Sequence, residues 1–77
     1  MPTLGEFVLY AKRRFNFDRR AIRLEGPEGT EELPYLWRND RVFAELPSRL
    51  RDSDRLTKNQ VEGLCARLDI PKEDFGL

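Results

Sequence analysis

The side chains able to do chemistry in this 77-residue chain are few, because it has one cysteine and no histidine. Cys65 falls among Val61, Leu64 and Leu68 at helical spacing, where a cysteine behaves as a small hydrophobe and has no imidazole to activate it. It reads as core, not as a nucleophile. The carboxylate pairs Asp52/Asp54 and Glu31/Glu32 have the groups for acid-base catalysis, but they fall in polar segments where solvated charge is the ordinary outcome. A zinc site of the Cys/His kind is out of reach, so neither a metal nor any other cofactor is expected. A lone cysteine also excludes an intramolecular disulfide and fits a reducing, cytoplasmic setting. No catalytic constellation is recognisable, and the chemistry left to read is that of binding.

Two stretches suggest nucleic acid. Lys12, Arg13, Arg14, Arg19 and Arg20 form a basic run of the sort that tracks phosphates. Against them stand Glu25, Glu28, Glu31 and Glu32, the only charged residues between positions 24 and 35, which would balance the run within the molecule. The net charge is zero and the pI about 6.3, whereas dedicated nucleic-acid domains are usually basic. Gly26-Pro27-Glu28-Gly29 matches a Gly-x-x-Gly backbone clamp, but that loop should be basic and join two helices. Here it precedes Glu31 and Glu32 and reads as an ordinary turn.

The elements that must position these groups are legible from caps and periodicity. Thr3 and Glu6 have the spacing of a capping box, and Leu4, Phe7, Val8, Ala11 and Phe15 then recur as a helical stripe. Asn16 is expected to end the helix in the left-handed conformation, with Phe17 and Asp18 in the turn that follows. Ala21 to Glu25 alternates as a first strand, with Ile22 and Leu24 on one side. Leu33 to Leu46 contains two apolar runs joined by Asn39-Asp40, the sign of a hairpin with a two-residue turn. That turn pairs Arg38 with Arg41 and places Leu33, Tyr35, Trp37, Val42, Ala44 and Leu46 on one face, continuous with Ile22 and Leu24. The helices are expected to pack there. Pro47 ends the third strand, and Ser48 to Arg55 reads as a charged surface loop whose one apolar contact is Leu50. Thr57 and Gln60 form a second capping box, stapled by Leu56 on Val61, for a helix that Pro71 stops. Pro71 to Phe75 is expected to add one helical turn that returns Phe75 to the core.

These elements predict one α+β domain over residues 1–77, ordered α-β-β-β-α, with both helices on one face of a three-stranded antiparallel sheet. A chain this short buries only about 60% of the surface its unfolded form exposes, so its stability is expected to be about 3 to 5 kcal/mol. No apolar run approaches the length of a membrane span, and residues 1–10 lack a basic segment followed by an apolar one, so neither an anchor nor a secretory signal is expected.

The order of elements also resembles the double-stranded-RNA-binding-like fold, and within it Tyr35 to Phe75 resembles the HicA family of toxin-antitoxin ribonucleases. The resemblance is carried by an aromatic strand ending in Leu46-Pro47, a polar loop, a helix initiated at Thr57, and the closing run Ile70-Pro71-Lys72-Glu73-Asp74-Phe75. It covers about half of the chain. That family carries a catalytic histidine in a Gly-Ser-His motif at its first strand, where this sequence has Gly26-Pro27-Glu28-Gly29-Thr30. The resemblance therefore implies a toxin-antitoxin component without the family's nuclease chemistry, binding a protein partner or RNA. The competing reading is a pure protein-interaction or homodimerisation domain. Under either reading the expected partner surface is the sheet face away from the helices, formed by Arg23, Leu36, Arg38, Arg41 and Phe43, with apolar groups flanked by arginines that an acidic partner would satisfy.

Overall fold

The structure is a computed structural model that describes residues 1–77. Helix α1 spans Leu4–Phe15, strands β1, β2 and β3 span Asp18–Gly26, Gly29–Asn39 and Val42–Glu45, helix α2 spans Lys58–Leu68, and a 3-10 turn at Lys72–Phe75 ends the chain. The strands form one antiparallel meander in the order β1-β2-β3, which gives the expected α-β-β-β-α arrangement.

Both helices begin on reciprocal capping boxes. The Glu6 N–H donates to Thr3 Oγ1 at 3.1 Å while the Thr3 N–H donates to Glu6 Oε1 at 2.9 Å. Thr57 and Gln60 repeat the pattern at 3.1 and 2.8 Å. These bonds satisfy amides that a helix start leaves without partners. Both helices end in the left-handed region, α1 at Asn16 with φ 61° and α2 at Asp69 with φ 57°. Asn and Asp tolerate that conformation better than other non-glycine residues, so Asp69 stops α2 before Pro71 is reached.

The core is a single cluster of 14 buried residues, all apolar apart from the thiol of Cys65. Leu4, Phe7, Val8 and Ala11 come from α1, and Val61, Leu64, Cys65 and Leu68 from α2. The sheet contributes only Leu36 and Ala44, with Leu46 just past β3. Phe17, expected in a turn, is instead a fully inserted core residue at 2% exposure. Phe75 does return to the core, stacking on Phe7 with centroids 5.2 Å apart, and Tyr10 meets it edge-on. The Tyr10 hydroxyl donates to Asp74, which ties the C-terminal turn to α1.

The segment Ser48–Arg55 is the charged surface loop expected, with Leu50 packed against the core, but it is also tied to other elements. Its carbonyls close the start of α1: the Leu4 N–H donates to the Asp54 carbonyl at 2.9 Å and the Gly5 N–H to that of Asp52 at 3.0 Å. Arg19 on β1 then holds the Asp52 carboxylate with two hydrogen bonds of 3.0 and 2.8 Å. Planar guanidinium and carboxylate groups meet well in this way.

The register of the central hairpin differs from the expected one, and the difference reverses β2. Tyr35 pairs with Glu45, Leu36 with Ala44 and Trp37 with Phe43, but Asn39 pairs with Val42. The turn is therefore Asp40-Arg41, and Arg38 is an extra residue that bulges from β2. The cause is local. None of Asn39, Asp40 and Arg41 has positive φ, so the turn is not of the primed types that two-residue hairpins favour. Asn39 instead turns its side chain onto the backbone, Oδ1 accepting from the N–H groups of Arg41 at 2.8 Å and Val42 at 2.9 Å. A one-residue slip moves every β2 side chain to the opposite face. Val42 and Ala44 remain on the helix side as expected, but Leu33, Tyr35 and Trp37 leave it and Leu36 enters.

Candidate functional site

The corrected register decides which residues line the face of the sheet away from the helices. Side chains opposite one another in an antiparallel pair share a face. Arg20 pairs with Tyr35 and Ile22 with Leu33 on one side, and Tyr35 with Glu45 and Trp37 with Phe43 on the other. These residues form one continuous outer surface. Phe43 is 52% exposed and Ile22 49%. A shallow groove of about 490 Å³ runs along it, floored by Ile22, Leu33, Tyr35, Trp37 and Phe43 and bounded by Asp40, Glu45 and Arg67.

Trp37 is held in place rather than left free in solvent. The Arg20 guanidinium lies 3.6 Å from the centroid of its ring, close enough for a cation–π contact. Asp18, one step further along the same face, pairs with Arg20 at 3.4 Å. The remaining charges around the groove are mainly acidic, because Glu31 shares the face of Leu24 and Leu33, Glu45 that of Tyr35, and Asp40 stands at the turn. Arg67 of α2 is the one basic group that reaches the groove from outside the sheet.

The partner surface expected from the sequence is dispersed by this geometry. Leu36 is completely buried, opposite Ala44. Arg23 lies on the helix-side surface, where it pairs with Glu32 at 3.3 Å. Arg38, at the bulge, reaches over the buried ring of Phe17 at 5.2 Å and shields the core. Arg41 stands in the turn itself. Only Phe43 remains on the outer face. In their place the structure supplies Ile22, Leu33, Tyr35 and Trp37, all four of which the expected register had directed towards the helices.

The basic run divides as well. Arg19 and Arg20 are successive residues of a strand and so point to opposite faces, Arg19 to Asp52 and Arg20 to Trp37. Lys12, Arg13 and Arg14 stay exposed in the last turn of α1, where cations oppose the negative end of the helix dipole. None of the three has an ion-pair partner, so the acidic strand residues do not balance them as the sequence suggested.

The titratable groups that shift do so for structural reasons away from the groove. Burial, followed by the charges of Asp74 and Glu73, pushes the Cys65 thiol up, which keeps it protonated in the core. The hydrogen bond from Arg19 lowers Asp52, and hydrogen bonds from Thr3 lower Glu6. The hydrogen bond to Asp74 raises Tyr10. Asp52 and Asp54, weighed above as an acid-base pair, are separately engaged, one with Arg19 and the other accepting from the Arg51 N–H at 2.8 Å. No helix is long and apolar enough to cross a membrane. Comparison with known proteins finds no matching family model, curated relative or solved structure.

Proposed function

We propose that this chain is a binding module that holds a protein partner on the outer face of its sheet, the partner offering an apolar centre edged with basic groups. The observation that carries this reading is the cluster of Trp37, Tyr35, Phe43, Leu33 and Ile22 around one groove with Asp40, Glu45 and Arg67 at its margins and Glu31 further along the same face. Large aromatic groups surrounded by polar ones are what the centre of a protein interface requires. The acidic margin reverses the complementarity expected from the sequence, which had placed arginines there.

RNA is the weaker ligand for this surface. Exposed aromatic residues on a sheet can stack bases, but the carboxylates beside them repel phosphate, and the free basic groups lie at the end of α1. A toxin-antitoxin setting of the kind that the HicA resemblance implies is compatible with a module that holds a protein partner. The reading here rests on the groove.

The test is a titration of the isotope-labelled protein followed by amide NMR, with three probes: a short peptide alternating Arg with Leu or Phe, its Glu-containing counterpart, and a single-stranded oligoribonucleotide. The basic peptide should shift the amides of residues 20–24, 33–37 and 43–45, and Phe43→Ser should abolish those shifts while leaving the circular dichroism spectrum unchanged. Preference for the acidic peptide would overturn the reading. So would RNA binding through residues 12–14 that weakens steeply with salt.

A further inference from the structure

The two edges of the sheet are treated very differently. β3 is four residues long and is followed at once by Leu46 and Pro47, so it offers little to an incoming strand. β1 is nine residues long, contains no proline, pairs with β2 without interruption, and is exposed at every position. Its outer edge presents a row of backbone groups with no partner in the chain.

The β1–β2 hairpin also extends beyond the helices. Phe17, immediately before β1, and Leu36, near the end of β2, join the core at the base of the hairpin, residues 18–32 are all exposed, and the molecule measures 43 × 26 × 18 Å. Ile22 and Leu24 lie on the projecting part at 49% and 48% exposure. A two-stranded ribbon with no layer packed on it is only marginally stable in water. Additional strands would remedy that.

We propose that β1 pairs antiparallel with β1 of a second copy, about a two-fold axis through Ile22. The charges select this register. It sets Ile22 against Ile22, Ala21 against Arg23, Arg20 against Leu24, Arg19 against Glu25 and Asp18 against Gly26 of the second copy. All nine residues are engaged, Glu25 twice by symmetry faces an Arg19 that also holds its own Asp52, and no like charges within the two strands face each other. An axis at Ala21 would oppose Arg19 to Arg23, and axes at Arg20 or Arg23 would oppose each arginine to its twin. An axis at Leu24 matches Arg23 with Glu25 but overlaps only residues 22–26.

The consequence is a six-stranded sheet in which each projecting hairpin lies against the base of the other, so that the exposed ribbon becomes the middle of a larger sheet. A two-fold axis perpendicular to the sheet keeps both outer faces on one side. The two aromatic grooves then belong to one continuous surface. The pairing is made by backbone groups of the β1 edge and involves only Ile22 of the groove residues, so it stands whether or not the groove holds a partner.

The experiment is sedimentation equilibrium of the full chain combined with cysteine cross-linking. The mass should rise with concentration from 9.1 kDa towards twice that value. Single cysteines at the four positions Ala21→Cys, Ile22→Cys, Arg23→Cys and Leu24→Cys should differ sharply under mild oxidation. Only Ile22→Cys should form the covalent dimer in high yield, since residues opposed in a ladder have Cα atoms about 4.5 to 5.5 Å apart, within disulfide range. The unaltered chain is the control, because Cys65 is buried. Glu25→Lys, which would face Arg19 of the second copy, should return the protein to monomer with its circular dichroism spectrum intact. A monomer at every concentration, equal cross-linking at all four positions, or strongest cross-linking at 21, 23 or 24 would overturn the proposal. A dimer removed by Phe43→Ser and untouched by Glu25→Lys would move the contact to the groove and overturn it equally.

Discussion

The orientation of β2 can be tested by truncating two adjacent residues that the structure sends in opposite directions. Leu36 has no exposed surface and lies in the core opposite Ala44. Leu36→Ala removes buried methyl groups and leaves a cavity, which costs about 2 to 5 kcal/mol. Trp37 is only half-buried on the outer face, where Trp37→Ala gives up the Arg20 contact and the cross-strand pair with Phe43. Those are worth about 0.5 to 1 and about 0.2 to 1 kcal/mol respectively, so with some lost area the total comes to about 1 to 2 kcal/mol.

Those magnitudes matter against a total stability of about 3 to 5 kcal/mol for a domain of this size. Leu36→Ala should be largely unfolded at 37 °C or melt without a cooperative transition. Trp37→Ala should fold and lose Tm at about 4 to 8 °C per kcal/mol. Urea unfolding followed by far-ultraviolet circular dichroism compares the two by their midpoints. The ranking is the decisive result. If Trp37→Ala proves the more damaging, the hairpin has the register with Asn39-Asp40 as its turn, and the outer-face groove is lost with it.

Two further outcomes probe how the Ser48–Arg55 segment is held. A Cβ on Gly5 would lie 3.1 Å from both the Cβ and the carbonyl oxygen of Asp52, so Gly5→Ala should lower the urea midpoint although alanine ordinarily favours a helix by about 1 kcal/mol; a raised midpoint would show that the segment yields. Asp52 has its pKa lowered chiefly by the Arg19 hydrogen bond, so its contribution to stability is present above the unfolded-state pKa and lost as pH falls through the lower folded one. The unaltered protein should therefore lose more stability than Asp52→Asn on acidification from neutral to below pH of about 4, and parallel curves would show that the bidentate pair adds nothing.

Local signals in this sequence were reliable wherever a side chain acts on its own backbone. Thr3 with Glu6 and Thr57 with Gln60 mark both helix starts, and Asn16 marks the end of the first helix, because each residue satisfies or permits a specific backbone geometry within one turn. The helical stripes follow from the same short range. Phe17 and the Ser48–Arg55 segment were not legible, since their partners are distant in sequence: Phe17 fills the core, and Asp52 is fixed by Arg19 and by the amide of Gly5. No periodicity encodes such contacts.

The faces of β2 are ambiguous in the sequence for a different physical reason. Leu33, Tyr35 and Trp37 alternate with Pro34, Leu36 and Arg38, so each face of the strand contains apolar groups and the alternation alone does not choose between them. Charge did carry a signal. The expected register set Arg38 directly against Arg41, an unfavourable opposition, and the bulge removes it by taking Arg38 out of the ladder and over Phe17. Asn39 supplies the means, since its carboxamide oxygen accepts from two amides and fixes the turn one residue later. The Arg38–Arg41 repulsion of the expected register is thus relieved inside the chain. What that rearrangement leaves facing solvent is the aromatic groove of Tyr35, Trp37 and Phe43, with Asp40 and Glu45 at its edge in the place where the expected register had set arginines.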